Sequence, residues 1–210
     1  MYRVGAYRLG FLRRCPYRWE DWLSLRLAFE ADRQGGRNAL KAVVNEGIGG
    51  NTLTREGLQP SPDSTPGIER LERDVLSHEG VTDVILFMGT NDIRRQAPAA
   101  QVIAGMTDIA KRVKAHGARI FGVTMIPRHN VPPSGTNTGW NDAKTANRRE
   151  VNEWIRSRAP FDGVIDFDTI VRDTGNADLI LPAFNCDGIH PTPRGYFEMG
   201  TLVPLNLFAR

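Results

Sequence analysis

Val84-Ile85-Leu86-Phe87-Met88-Gly89-Thr90-Asn91-Asp92-Ile93 carries the plainest structural signal in the chain. Five apolar side chains stand at consecutive positions. A strand with water on one face alternates apolar and polar residues, whereas a strand covered on both faces has no need to. The run therefore predicts a buried strand of a parallel sheet, ending abruptly at Gly-Thr-Asn-Asp. Working outward, strands are expected at 39–45, 81–88, 119–124 and 164–167. Between and around them lie helical patterns at 19–30, 67–76, 98–115, 142–157 and 193–205. Alternating strands and helices predict an α/β fold with helices on both sides of the sheet. The segments 59–67 and 127–139 each hold three prolines and are expected to be long surface loops.

With 210 residues, 40% of them hydrophobic, the chain can bury one core and reads as one domain, residues 19–210, preceded by an atypical segment, residues 1–18. The balance of 27 basic against 24 acidic residues gives a net charge of +3. Arg3, Arg8, Arg13, Arg14 and Arg18 crowd the start without an acid among them, and the other basic residues are dispersed. No stripe suited to nucleic acid results. No apolar run approaches the roughly 20 residues that span a bilayer, and the arginine-rich start lacks the apolar region of an export signal. As written, the chain reads as soluble and unexported, with its compartment unassigned. Cys15 and Cys186 allow at most one bridge and match neither a zinc site nor a redox pair.

Three segments carry chemistry. In Val43-Val44-Asn45-Glu46-Gly47-Ile48-Gly49-Gly50-Asn51 a strand runs into glycines, whose backbone can turn its N–H groups toward an anion or can simply make a tight turn. At the end of the quoted strand, Asn91 stands where ligands bind in open parallel sheets, with an amide donor to offer. Asn91 or Asp92 could equally cap the next helix. In Asp187-Gly188-Ile189-His190-Pro191, an aspartate three residues before a histidine can accept its Nδ1–H and fix the tautomer. A loop histidine beside a capping aspartate is the plainer alternative.

The order Gly-Gly-Asn, Gly-Thr-Asn-Asp, Asp-Gly-Ile-His-Pro resembles the SGNH (GDSL-like) hydrolase superfamily over about residues 19–200, in a bacterial branch. Trp19-Glu20-Asp21-Trp22-Leu23 and Val151-Asn152-Glu153-Trp154-Ile155 extend the similarity. The resemblance implies a three-layer α/β/α sandwich with a flavodoxin-like parallel sheet. It also implies hydrolysis of carboxylic esters by acyl transfer, on short acyl or acetyl groups of lipids, alcohols or sugars. It makes Gly50 and Asn91 the oxyanion hole, His190 the general base and Asp187 its orienting partner. A small-molecule ester is the implied partner, and no metal or organic cofactor is implied. A metal-dependent hydrolase on Asp187 and His190 would need further ligands, and His78, His116 and His129 lie outside the matched segments.

The pattern breaks at the nucleophile. Family members begin with a strand ending in Gly-Asp-Ser, and residues 1–17 contain no serine. Ser24 falls in a helical pattern and Ser61 and Ser64 in a proline-rich loop, neither of them the strand end that exposes a nucleophile. Cys15 lacks the context of a reactive thiol. Read one base later, codons for Leu9 to Cys15 can encode Ser-Gly-Ser-Ser-Val-Asp-Ala, so a shifted frame is one explanation; an inactive remnant or binding module is another. The first strand is doubtful in either case, because Arg3 and Arg8 would bury charge without an evident partner.

Overall fold

The computed structural model describes residues 18–33 and 41–209. The expectation of a peripheral or marginal strand near residues 2–9 falls outside them, as does Cys15. Among the described residues, three strands form a parallel sheet in the order β1 (Asp83–Leu86), β2 (Arg119–Val123), β3 (Gly163–Ile165). Asp83 is paired with Arg119, and Val123 with Ile165.

The consecutive apolar residues of the quoted stretch divide between two cores. Val84 and Leu86 pack on one side with Ile120, Val102, Met106, Ile109, Val151 and Ile155, drawn largely from α4 (Ala99–Ala115) and α5 (Asp142–Ser157). Ile85 and Phe87 face the other side, with Phe121, Val123, Leu23, Leu27, Met199 and Val203. That side is covered by α1 (Trp19–Arg33) and α7 (Pro193–Leu202). Helices on both faces of a parallel sheet make the three-layer α/β/α arrangement. It follows directly from strands with no polar face to present.

Short elements complete the chain. They are α2 (Gly67–Leu71), continued by a π-helical turn over Glu72–Leu76, α3 (Thr90–Arg94) and α6 (Phe167–Val171). Among the differences from expectation, three have a structural reason. Residues 41–45 form no strand and are half-buried or exposed, because they have no ladder partner among the described residues; Lys41 is instead held to Asp83 and Thr82 through its side chain. The strand expected at 164–167 stops at Ile165, since the Asp166 side chain accepts from Thr169 N and opens α6. The last helix ends at Leu202 rather than 205, ahead of Pro204, whose ring cannot continue a helix.

A buried ion network fastens α5 to α6 and to the loop that follows it. Arg148 is 2% exposed and donates to Asp168 at 2.6 Å and Asp178 at 3.0 Å. Arg156 reaches Asp166 and Asp168.

Candidate active site

The chain leaves β1 through Gly89, which has φ +104°. A Cβ there would stand 2.8 Å from Val102 Cγ1 and 3.2 Å from Met125 Sδ, so both the backbone conformation and the space demand glycine. The turn delivers Asn91 and Asp92 to the carboxyl end of the sheet on α3. Neither residue caps a helix, because Gly89 occupies the cap of α3 and Pro98 that of α4, each without a side-chain bond. Both bind the Gly50 segment instead. Asn91 Nδ2 donates to Asn51 O at 3.0 Å. Asp92, fully buried, accepts from Leu53 N, Thr54 N and Thr54 Oγ1 at 2.8 to 2.9 Å. Burial pushes the Asp92 carboxyl above its ordinary range despite those bonds.

Gly50, at φ +73°, closes the turn in which Asn51 N donates to Ile48 O. Asn51 is itself pinned: its Nδ2 donates to Ser64 Oγ and Thr65 O, and its Oδ1 accepts from Arg70 Nε. The exposed glycine turn and the Asn91 amide are thus neighbours, although residues 41–45, the described part of the strand expected to lead into the turn, form no strand.

Asp187 and His190 meet as their spacing suggested. His190 Nδ1 lies 2.8 Å from Asp187 Oδ2. Asp187 Oδ1 accepts from His190 N at 2.7 Å and Ile189 N at 3.0 Å. Burial pushes the Asp187 carboxyl up, but the bonds from the His190 ring and backbone and the His190 charge outweigh it and hold the carboxyl below its ordinary range. Pro191 keeps His190 out of α7, which is capped by Thr192 through Gly195 N and begins with Pro193.

The loop leaving β2 anchors this second pair. His129 N donates to Gly188 O at 2.8 Å, and His129 Nε2 accepts from Ile180 N at 3.1 Å. Gly188 has φ +81° and its added Cβ would lie 3.1 Å from His129 Cβ. Asn91 follows β1, and the Asp187–His190 loop is bonded to the segment that follows β2, so both pairs occupy the same end of the sheet. Arg128 connects them electrostatically, since its charge feels both Asp187 and Arg94, the latter three residues along α3 from Asn91.

Sequence reasoning assigned no structural role to His129, Arg128 and Arg148, because nothing local to a histidine or arginine tells a loop-fastening side chain from a solvated one. Ser24 lies within α1, and Ser64 Oγ is occupied in accepting from Asn51. Among the described residues, no three His, Cys, Asp or Glu side chains cluster as a metal site, and no helix is long and apolar enough to cross a membrane.

Solved structures share this architecture. A GDSL-like lipase from Bacteroides thetaiotaomicron superposes with a TM-score of 0.59 at 17% identity, covering 90% of this chain and 82% of that one. An acetylxylan esterase from Geobacillus stearothermophilus gives 0.59 at 18% identity, over 92% and 82%. Among curated proteins none matches this sequence. At such identities the likeness establishes the fold, an α/β sheet of the SGNH hydrolase kind flanked by helices. The sequence itself matches the model of the GDSL-like Lipase/Acylhydrolase family over residues 3–196, nearly the whole length of a chain that arrays Gly50, Asn91, Asp187 and His190 at one end of its sheet, and to that family the chain belongs.

Proposed function

We propose that the protein hydrolyses small carboxylic esters, carrying acetyl or other short acyl groups, at the end of the sheet where Asn91 and His190 stand. The supporting observation is the 2.8 Å bond between His190 Nδ1 and Asp187 Oδ2, with Asp187 fixed in turn by two backbone N–H groups. With Nδ1–H turned to the carboxylate, the basic lone pair lies on Nε2, which takes the proton of the attacking hydroxyl. Asp187, held below its ordinary pKa, stays ionised and stabilises the imidazolium so formed.

As the hydroxyl oxygen bonds to the ester carbon, the carbonyl oxygen takes up negative charge. The Gly50 N–H and the Asn91 amide are the donors assigned to it. Preorganised donors of this kind are worth about 3 to 4 kcal/mol each in the transition state. Collapse expels the alcohol, which receives its proton from His190.

The attacking hydroxyl in the family pattern is a serine, and residues 1–17 offer none. Water attacking directly completes the same proton cycle without a covalent intermediate, and more slowly. The absent serine also favours a second reading, a binding module that retains the site without turnover. p-Nitrophenyl acetate hydrolysis and fluorophosphonate labelling of the folded protein separate them. Turnover supports the hydrolase, with labelling diagnosing a serine nucleophile and its absence diagnosing water. A folded protein that neither turns over nor labels is the binding module.

A further inference from the structure

Arg128 is 6% exposed, and its Nε and Nη1 have no hydrogen-bond partner. Its guanidinium lies over the Trp140 ring, 5.1 Å from the centroid, which holds the cation without satisfying its N–H groups. Two more cations gather at the same segment. Lys144 Nζ donates to Arg94 O and Gly139 O at 2.9 Å and to Thr138 O at 3.0 Å. Arg94 Nη1 reaches Asn137 Oδ1 at 3.4 Å. A groove of about 370 Å³ is walled by Gln96, Asn137, Asn141 and Lys144, and Arg94 borders it through its bond to Asn137.

The charges here do not balance. Lys144 spends its protons on carbonyls and contributes only its field. Burial and the charge of Arg94 push the Arg128 guanidinium down to about 10, so it remains charged at neutral pH. Arg94 and Lys144 are each pushed down by burial and then by a neighbouring cation, Arg95 for Arg94 and Arg94 for Lys144. Two carboxylates act against this: Asp187, already bonded to His190, and Asp63, near Arg94. A desolvated guanidinium with unpaired donors, crowded by like charges, is expensive unless an anion completes the site. An oxyanion does so well, because its paired oxygens match the guanidinium fork.

We propose that Arg128, Arg94 and Lys144 form an anion subsite beside the Asp187–His190 pair, selecting esters whose acyl or alcohol part carries a carboxylate, phosphate or sulfate group. As a statement about substrates this rests on the hydrolase reading; as a statement about binding it stands alone. The subsite also accounts for the neighbouring carboxylate: with Asp187 committed to His190, Arg128 has its charge partly compensated while its Nε and Nη1 stay without a partner.

The test is calorimetric titration of the full chain with inorganic phosphate at fixed ionic strength, followed by p-nitrophenyl acetate and mono-p-nitrophenyl succinate kinetics. Saturable phosphate binding is expected, weakened at least tenfold by Arg94→Gln and by Arg128→Met. The unliganded thermal midpoint of Arg94→Gln shows that this variant is folded, so the result does not depend on Arg128→Met surviving. Succinate ester should show the lower KM, and phosphate should compete with it. Absence of saturable binding, or binding indifferent to Arg94→Gln, overturns the subsite. Phosphate binding without turnover of either ester leaves the subsite standing and removes the hydrolase reading. Turnover with equal KM for both esters and no phosphate binding does the reverse.

Discussion

Asp92 shows how much one buried carboxylate can hold. Its two oxygens accept from Leu53 N, Thr54 N and Thr54 Oγ1, so it fixes the segment that follows Gly50 to the helix that carries Asn91. Removing it strands three buried donors. Asp92→Ala is expected to cost about 3 kcal/mol in urea unfolding, since each buried donor left unmatched costs roughly 1 to 3 kcal/mol before relaxation. Unchanged stability would show that the Gly50 turn is held by other means. At this scale the sequence was informative where chemistry is local. The Asp187–His190 contact spans three residues and could be expected from its spacing. Asp92 looked like a helix cap because the type of residue was right; its partners, some forty positions away, leave no mark on its neighbours. The same holds for Arg148 and Arg128, buried among residues that no local pattern names.

At the scale of elements, the turn from β1 into α3 decides where Asn91 stands. Gly89 combines a left-handed backbone with contact against Val102 and Met125. Gly89→Ala is predicted to destabilise by about 2 to 4 kcal/mol, summing an unfavourable φ and overpacking. It should also lower ester turnover more than its residual stability explains, by displacing Asn91. A variant with wild-type melting and turnover would refute the hinge. Helices are legible from their periods and buried strands from consecutive apolar residues, and the bounds expected for the helix at 142–157 match Asp142–Ser157. Residues 41–45 are not legible, because a strand exists only with a ladder partner and they have none among the described residues. The last helix was read too long although Pro204 marked its end, because the apolar pattern continues through Leu205.

For the whole molecule, two cores either side of one sheet follow from strands that are apolar at consecutive positions. What the pattern does not announce is the charge stitching around those cores, and that stitching sets the response to acid. Burial pushes the Asp166 carboxyl up, but Arg156, Thr124 and Thr169 outweigh it and hold it down to about 2, below its ordinary 3.8. A group with a depressed folded pKa stabilises the fold above its ordinary pKa and loses that contribution as pH falls toward the folded value. The urea midpoint should therefore drop between about pH 4 and pH 2, and the drop should be shallower in Asp166→Asn. Equal slopes in the two proteins would remove Asp166 from the account.

If Asn91 and His190 act on one carbonyl, p-nitrophenyl acetate kinetics of Asn91→Ala, His190→Ala and the double variant will show it. Each single variant should lose about a hundredfold or more in kcat/KM, and the double variant should lose less than the product of the two. Folded wild-type protein without turnover, or turnover that His190→Ala retains in full, would contradict it.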